Sequence, residues 1–320
     1  MRVIESAKPC KGLEPYVRAY AQRNACFASK THVEPVPARL EQILEFEFDD
    51  PFDICFFNGH KIESPQISLV GWQTHLRAEL RLVGNVQSFA VFFQPAGVLQ
   101  LFGIPLSELR NTSFEATSVL GRQMRSLWNE LGEASSFLHR VTIVERYLQK
   151  LVERARRGDA AGACANRILS MRGLVNIDVL AREFDISRRQ LERRFAAQIG
   201  ITPKSFSRIA RFQTALDLKV VNPNLSWLET AHELGYFDQM HLIHDFKKLC
   251  GETPNRILAT LGDARPEAVA SASANSERPP RDRDGPLPFY AKKPSNGKSP
   301  LCKALRPAHP DTSPASRRAW

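Results

Sequence analysis

Five charged side chains crowd one short stretch of this 320-residue chain: Arg188, Arg189, Glu192, Arg193 and Arg194 all fall within IDVLAREFDISRRQLERRF, residues 177–195. Clustered arginines attract a polyanion, and they can read one only if a rigid element presents them. The surrounding residues supply that element. Ile177, Leu180, Ala181 and Phe184 give a short helix an apolar face, which runs into a tight turn at Asp185. Ser187 then offers a hydroxyl to the orphan N–H groups of a second helix. That helix buries Leu191 and Phe195, four residues apart on one face, and leaves the arginines on the others. A capped helix with one apolar stripe and arginines elsewhere has what it needs to enter a DNA major groove.

The charge distribution agrees. The formal net charge is +10, but residues 1–165 are nearly balanced, with 19 Lys+Arg against 18 Asp+Glu. Residues 166–262 hold 14 against 10, and residues 263–320 hold 11 against 6. Cys10, Cys26, Cys55, Cys164, Cys250 and Cys302 show no C-x-x-C pairing, so reduced thiols are expected rather than a disulfide framework or zinc module. The N-terminus lacks the apolar core of a signal peptide, and no window reaches the roughly 20 apolar residues of a membrane span. A cytoplasmic protein is expected, with no membrane partner.

Residues 1–158 read as an α+β domain: a small antiparallel β-barrel plus helices. Leu44, Phe46 and Phe48 alternate, FDICFFN at 52–58 is a compact apolar run, Ala78, Leu80 and Leu82 alternate with charge, and VQSFAVFF at 86–93 ends at Pro95 and Gly97. Such a barrel can hold one small ligand. From Pro95 the pattern turns helical. Leu120, Met124, Leu127, Trp128 and Leu131 recur at helix spacing, followed by Phe137, Val141, Val144, Leu148 and Leu151 behind a Ser136 cap. The apolar stripes of these helices either pack on the same chain or form a homodimer interface.

Chemistry is sparse in this half. His32, His60, His75 and His139 lack H-x-H or H-E-x-x-H spacing, and neither a Gly-rich phosphate loop nor a G-x-S-x-G elbow occurs. No catalytic residue, metal or cofactor is implied. Residues 159–166 are rich in Ala and Gly, with Gly158 and Gly162 expected to interrupt any helix, and they read as a linker.

Residues 167–262 read as an all-α domain in which the helix-turn-helix occurs twice. The second copy is WLETAHELGYFDQMHLIHDF, residues 227–246. Ala231 and Gly235 match Ala181 and Asp185 at an offset of fifty. Leu242 and Phe246 match Leu191 and Phe195 at fifty-one, with Asp238 as cap in place of Ser187. An internal repeat is hard to obtain by chance. Gly200, Thr202 and Pro203 end one helix and begin the next, which runs to about Lys219 as a rigid spacer, and Gly251, Thr253 and Pro254 repeat them.

These residues carry a resemblance to a known family. Leu180-Ala181, Ser187-Arg188, Leu191, Arg194-Phe195, Gly200 and Pro203 resemble the first half of the AraC/XylS-type DNA-binding domain. Ala231, Leu234-Gly235-Tyr236, Asp238-Gln239, Phe246-Lys247, Gly251 and Thr253-Pro254 resemble its second half. The resemblance covers about 167–258, and the segment from Phe92 to Leu151 is loosely similar to the sensor half of some members. It implies a transcription regulator whose two recognition helices enter successive major-groove segments about one helical turn apart. Base edges would be met by Arg189, Glu192 and Arg193 in the first site and by Gln239, Met240, Ile243 and His244 in the second. Arginine can grip guanine O6 and N7, and glutamate can accept from cytosine N4; Glu192 could instead pair with Arg188. Phosphates would be met by Ser187, Arg188, Lys204, Arg208, Arg211 and Lys247, with Arg208 and Arg211 alternatively internal partners on the spacer helix.

The chain departs from the family pattern at His244, where arginine is usual, at Asp185, where the turn glycine is usual, and at Trp227, where a smaller aliphatic is common. The implied partners are double-stranded DNA, a small-molecule effector, a second copy of the chain and, for an activator, RNA polymerase, at a nucleoid-associated location. The proline-rich basic tail, residues 263–320, is expected to be disordered. The alternative from another class is an enzyme, with a catalytic N-terminal barrel fused to a DNA-binding domain. That alternative requires a polar pocket with clustered titratable groups.

Overall fold

The computed structural model describes residues 2–27, 30–156 and 158–261. The N-terminal half opens with ten strands: β1 Arg2–Ala7, β2 Val17–Cys26, β3 His32–Pro35, β4 Ile43–Glu47, β5 Asp53–Phe56, β6 Lys61–Glu63, β7 Ile67–Val70, β8 Ala78–Leu82, β9 Asn85–Phe93 and β10 Ser113–Glu115. They do not close into the expected barrel. They form two antiparallel sheets, one in the order β1-β2-β9-β4-β7-β10 and one in the order β3-β8-β5-β6.

The larger sheet is two-faced because its strands alternate. On β4, Leu44 and Phe46 are fully buried toward the helices, while Ile43, Glu45 and Glu47 line a cavity on the other face. On β9, Phe89 and Val91 face the helices, while Ser88, Ala90 and Phe92 line the cavity. The register sets Glu45 beside Ala90 and Glu47 beside Ser88 on β9, with Arg23 of β2 on the far side of Ser88.

Helices α1 Gly97–Phe102, α2 Ala116–Leu120, α3 Gln123–Gly132 and α4 Phe137–Val152 follow. Ser136 caps α4 by accepting from the His139 N–H, as its position suggested. The apolar stripes of α3 and α4 pack on the sheet of their own chain: Phe137 lies 6.1 Å from Phe89, ring to ring. Arg140 of α4 ties this layer together. Its guanidinium donates to the Leu131 carbonyl at 2.9 Å and to Gln22 Oε1 on β2 at 2.8 Å, and it sits over the Phe48 ring at 4.3 Å.

Residues 159–166 are not an irregular connection. Asp159 caps helix α5, Ala160–Ser170, by accepting from the N–H groups of Ala161 and Gly162. The small residues that resembled a linker serve close packing instead. Ala161, Cys164 and Ala165 are fully buried, and a Cβ on Gly162 would meet the Ala96 methyl at 3.0 Å.

The chain then runs through α6 Ile177–Glu183, α7 Arg188–Ile199, α8 Pro203–Val221, α9 Trp227–Glu233, α10 Gln239–Cys250 and α11 Pro254–Leu261. Both halves share one apolar core, which runs from Leu13 and Tyr20 through Trp72 to Phe206 and Phe246. Fully buried Trp72 meets Phe206 of α8 edge-on at 6.5 Å. The tail expected to be disordered lies outside the described residues, as does Cys302; the other five cysteines are free thiols.

Candidate nucleic-acid interface

Each helix-turn-helix is built from caps and a left-handed turn. In the first, Asn176 caps α6 by accepting from Asp178 and Val179, and Leu180 and Ala181 are buried. Asp185 adopts φ +54°, and the Ile186 N–H then returns to the Ala181 carbonyl at 3.1 Å. Asp tolerates this region better than most residues, though less well than glycine. Ser187 and Gln190 form a reciprocal capping box at the start of α7. The second unit repeats the turn with the expected glycine: Gly235 has φ +64°, and the Tyr236 N–H returns to the Ala231 carbonyl at 2.9 Å. Ser226 and Glu229 make its capping box at α9, and Asp238 caps α10 by accepting from His241 at 2.7 Å. The hydrogen bond holds the exposed Glu229 carboxyl below its ordinary range.

The buried sides are fixed by aromatic contacts. Leu191 and Phe195 of α7 are fully buried, with Phe195 edge-on to Phe206 at 5.4 Å. Leu242 and Phe246 of α10 are equally buried, and Phe246 meets Phe212 at 4.8 Å and Trp227 at 5.4 Å. The unusual Trp227 is thereby a core residue, and its indole N–H donates to Asn255 Oδ1.

With these faces buried, the remaining sides point outward. Arg189 and Arg193 are exposed on α7, with no ion pair to either among the described residues. Glu192 is half-buried and accepts from Arg188 Nε at 2.9 Å, while Arg188 also reaches Asp178 at 3.3 Å. This is the internal pairing that the one-turn spacing allowed. On α10, Gln239, Met240 and His244 are exposed and Ile243 is half-buried. Lys204 and Lys247 are exposed. Ser187 is exposed, with its hydroxyl engaged as the α7 cap.

Arg208 and Arg211 are the two expected phosphate residues that the fold turns inward. Arg208 donates to buried Asp245 of α10 at 2.8 Å, and Arg211 lies over the Tyr236 ring at 4.9 Å. Both are half-buried contacts between α8 and the second unit. Two features escaped the sequence reading. Asp245 is buried between helices although its side chain is charged, and Phe237 protrudes at the tip of the second turn, 89% exposed.

Residues 180–260 match the family model described as a helix-turn-helix domain. Those residues are an AraC-type helix-turn-helix domain. The protein is therefore a DNA-binding transcription regulator. Residues 5–115 match a second model, described as a domain of unknown function. Similar solved structures are those of ToxT from Vibrio cholerae. One is 13% identical, covering 76% of this chain and 98% of that one at a TM-score of 0.44. The apo K231A form is 10% identical over 80% of this chain and 100% of that one at 0.48. The form bound to an unsaturated fatty acid is 10% identical over 81% and 94% at 0.41. No curated protein sequence matches the chain. Among the described residues, no helix is long and apolar enough to cross a membrane, and no group of three or more His, Cys, Asp or Glu could hold a metal ion.

The cavity beside the larger sheet is the second notable site. It measures about 480 Å³ and lies between the two sheets, with Gln213 and Leu216 of α8 forming part of its wall. Gln213 is also a fastening point. Its Nε2 donates to both Glu41 carboxylate oxygens, at 2.8 and 2.7 Å, and its Oε1 accepts from the Leu40 N–H at 3.2 Å. The Ala38 N–H donates to the Leu249 carbonyl of α10 at 2.9 Å. The connection between β3 and β4, which walls the cavity, is thus bonded to both the spacer helix and the second reading helix.

Proposed function

We propose that this regulator reads sequence by laying α7 and α10 into successive major-groove segments, with residues 1–158 as sensor and residues 167–262 as reader. One observation carries the reading: the capped helix-turn-helix unit repeats, turn closure included, and its first copy leaves Arg189 and Arg193 exposed and unpaired among the described residues. Arg189 and Arg193 meet base edges in the first segment. Gln239, Met240, Ile243 and His244 do so in the second. Lys204, Lys247 and the first turn of α7, including Ser187 and Arg188, hold phosphates. Arg208 and Arg211 instead brace the second unit, and Glu192 orients Arg188.

A small-molecule effector fits the cavity, whose wall is bonded to α8 and α10. The protein acts in the cytoplasm on double-stranded DNA; a homodimer and, for an activator, contact with RNA polymerase belong to the same reading. A gel shift with promoter fragments tests it: binding should weaken steeply with salt, and absence of binding at low salt, with and without candidate effectors, would remove it.

One observation favours the enzymatic alternative: Glu34, Glu41, Glu45, Glu47, Arg23 and Arg39 do cluster around the cavity. Three of these groups are engaged with protein partners: Arg23 with Glu34 at 3.0 Å, and Glu41 with Gln213 and Arg18. A binding site is the better reading of that arrangement.

A further inference from the structure

The cavity is apolar in its body and charged along one side. Ile43, Ala90 and Phe92 of the larger sheet face Phe52, Ile54 and Leu80 across it. Glu45 and Glu47 share the cavity face of β4, two residues apart. Glu47 is only 6% exposed, and its Oε1 is buried without a hydrogen-bond partner in the structure. The neighbouring arginines have carboxylate partners, none of them Glu47. Arg23 on β2 pairs with Glu34 of β3 at 3.0 Å, Arg18 pairs with Glu41, and Arg39 faces Glu41 and Glu45. Glu47 has no ion pair within 4 Å among the described residues. A buried carboxyl whose one oxygen lacks a donor favours its protonated form or takes a donor from a ligand. Burial first, then repulsion from Glu45, raises its pKa well above the ordinary carboxylate range, against the attraction of Arg23; a side-chain hydrogen bond shared with Glu45 and repulsion from Asp49 add to the rise.

We propose that this cavity binds an apolar organic molecule carrying a protonated amine or related nitrogen cation, held by the Glu45–Glu47 pair. The hydrocarbon body lies between the two sheets, and the cation donates its N–H groups to the two carboxylates. Charge-assisted hydrogen bonds of this kind are short and strong in a dry site. The volume, about 480 Å³, suits a ligand of ordinary small-molecule size. The occupant touches Gln213 and Leu216 of α8 directly. This deepens the effector role proposed above, and its link to DNA rests on that reading; occupancy itself does not.

The chemistry balances without any covalent step. Burial favours a proton on Glu47; the arriving cation displaces it, and the proton passes to solvent. Binding of an amine should therefore strengthen as pH rises, and binding of a neutral analogue should not. The charged groups that act on Glu47 are Glu45 and Asp49 on its own segment, and Arg23 from β2.

Calorimetric titration of the full-length protein with phenylbutylamine, phenylbutanol and phenylbutyrate tests the proposal. The amine should bind saturably and more tightly than the alcohol or the carboxylate, with proton release visible as a dependence on buffer ionisation heat. Affinity for the amine should rise with pH above the ordinary carboxylate range in wild-type protein, a readout that needs no variant. Glu47→Gln should weaken amine binding by about tenfold to a hundredfold, and Ile43→Trp, which fills the apolar end, should abolish it. The proposal is overturned if phenylbutyrate binds as tightly as the amine, if the amine does not bind, or if Glu47→Gln leaves its affinity unchanged. A failed gel shift would remove the regulator reading and leave the titration standing; a failed titration would do the reverse.

Discussion

Arg208 of α8 donates through Nε to Asp245 Oδ1 of α10 at 2.8 Å, and this contact fastens the spacer helix to the second reading helix. Arg211, one turn along, lies over Tyr236 and braces the turn that precedes α10. Both arginines thus brace the second helix-turn-helix unit against the spacer helix. Asp245→Ala should lower stability by about 1–3 kcal/mol, less than for a fully buried pair, because the Arg208 side chain stays 31% exposed and water screens it. Asp245→Asn, which keeps an acceptor, should lose less. Urea denaturation compares the two; equal stability of Asp245→Ala and wild type would refute the clamp.

The halves of the reader should contribute unequally. Arg193→Ala should weaken specific DNA binding by about 1–3 kcal/mol and relax the base preference at one position. Arg188→Ala should change it less, because Arg188 is already paired with Glu192 and Asp178. His244→Ala should fall between them. Fluorescence anisotropy on one operator ranks the three. If specific binding survived Arg193→Ala and vanished in His244→Ala, the assignment of the stronger half would be reversed.

The turn at Asp185 offers a stability test. Its φ of +54° strains a residue with a Cβ by about 1–2 kcal/mol. Glycine removes that strain while adding about 0.5–1 kcal/mol of unfolded-state entropy. Asp185→Gly should thus stabilise the protein by about 0.5 kcal/mol net, read as a higher urea midpoint at unchanged slope. A lower midpoint would show that the Asp side chain does something in the turn beyond occupying it.

Glu47 should leave a signature in the pH dependence of stability. Its native pKa is raised, by burial first and then by Glu45. The stability that its protonated form contributes is complete below its unfolded pKa of about 4.3 and is lost as pH rises toward the native value. Glu47→Gln cannot ionise, so its stability relative to wild type should grow with pH across that window. Parallel denaturation curves at all pH values would show that Glu47 is solvated after all.

Much of the reading half was legible in the sequence because its signals are local. Ser187, Asp238 and Thr202 cap the helices their positions implied, Asp185 and Gly235 take positive φ, and Leu191, Phe195, Leu242 and Phe246 are fully buried. The N-terminal half was less legible because its signals are tertiary. Strand β2 does not alternate: it pairs with β1 and β9, and most of it is buried, Tyr20 and Gln22 included. The register that separates Leu44 and Phe46 from Glu45 and Glu47 is plain on β4, yet that pattern alone gave no sign that the glutamates meet a cavity. Helix α5 was hidden by its composition: alanines and glycine suggested a flexible connection, whereas small residues there permit close packing against Ala96. The inward turn of Arg208 depends on Asp245, thirty-seven residues away, and no local pattern joins them.

Two linked helix-turn-helix units that read DNA together should leave their footprint in fragments selected by the full-length protein from a random double-stranded library. Two conserved half-sites should be enriched, with centres about 10 bp apart, the one facing α7 richer in guanine, as arginine contacts from Arg189 and Arg193 would select. A single conserved half-site, or no enrichment over the starting library at low salt, would contradict that joint reading.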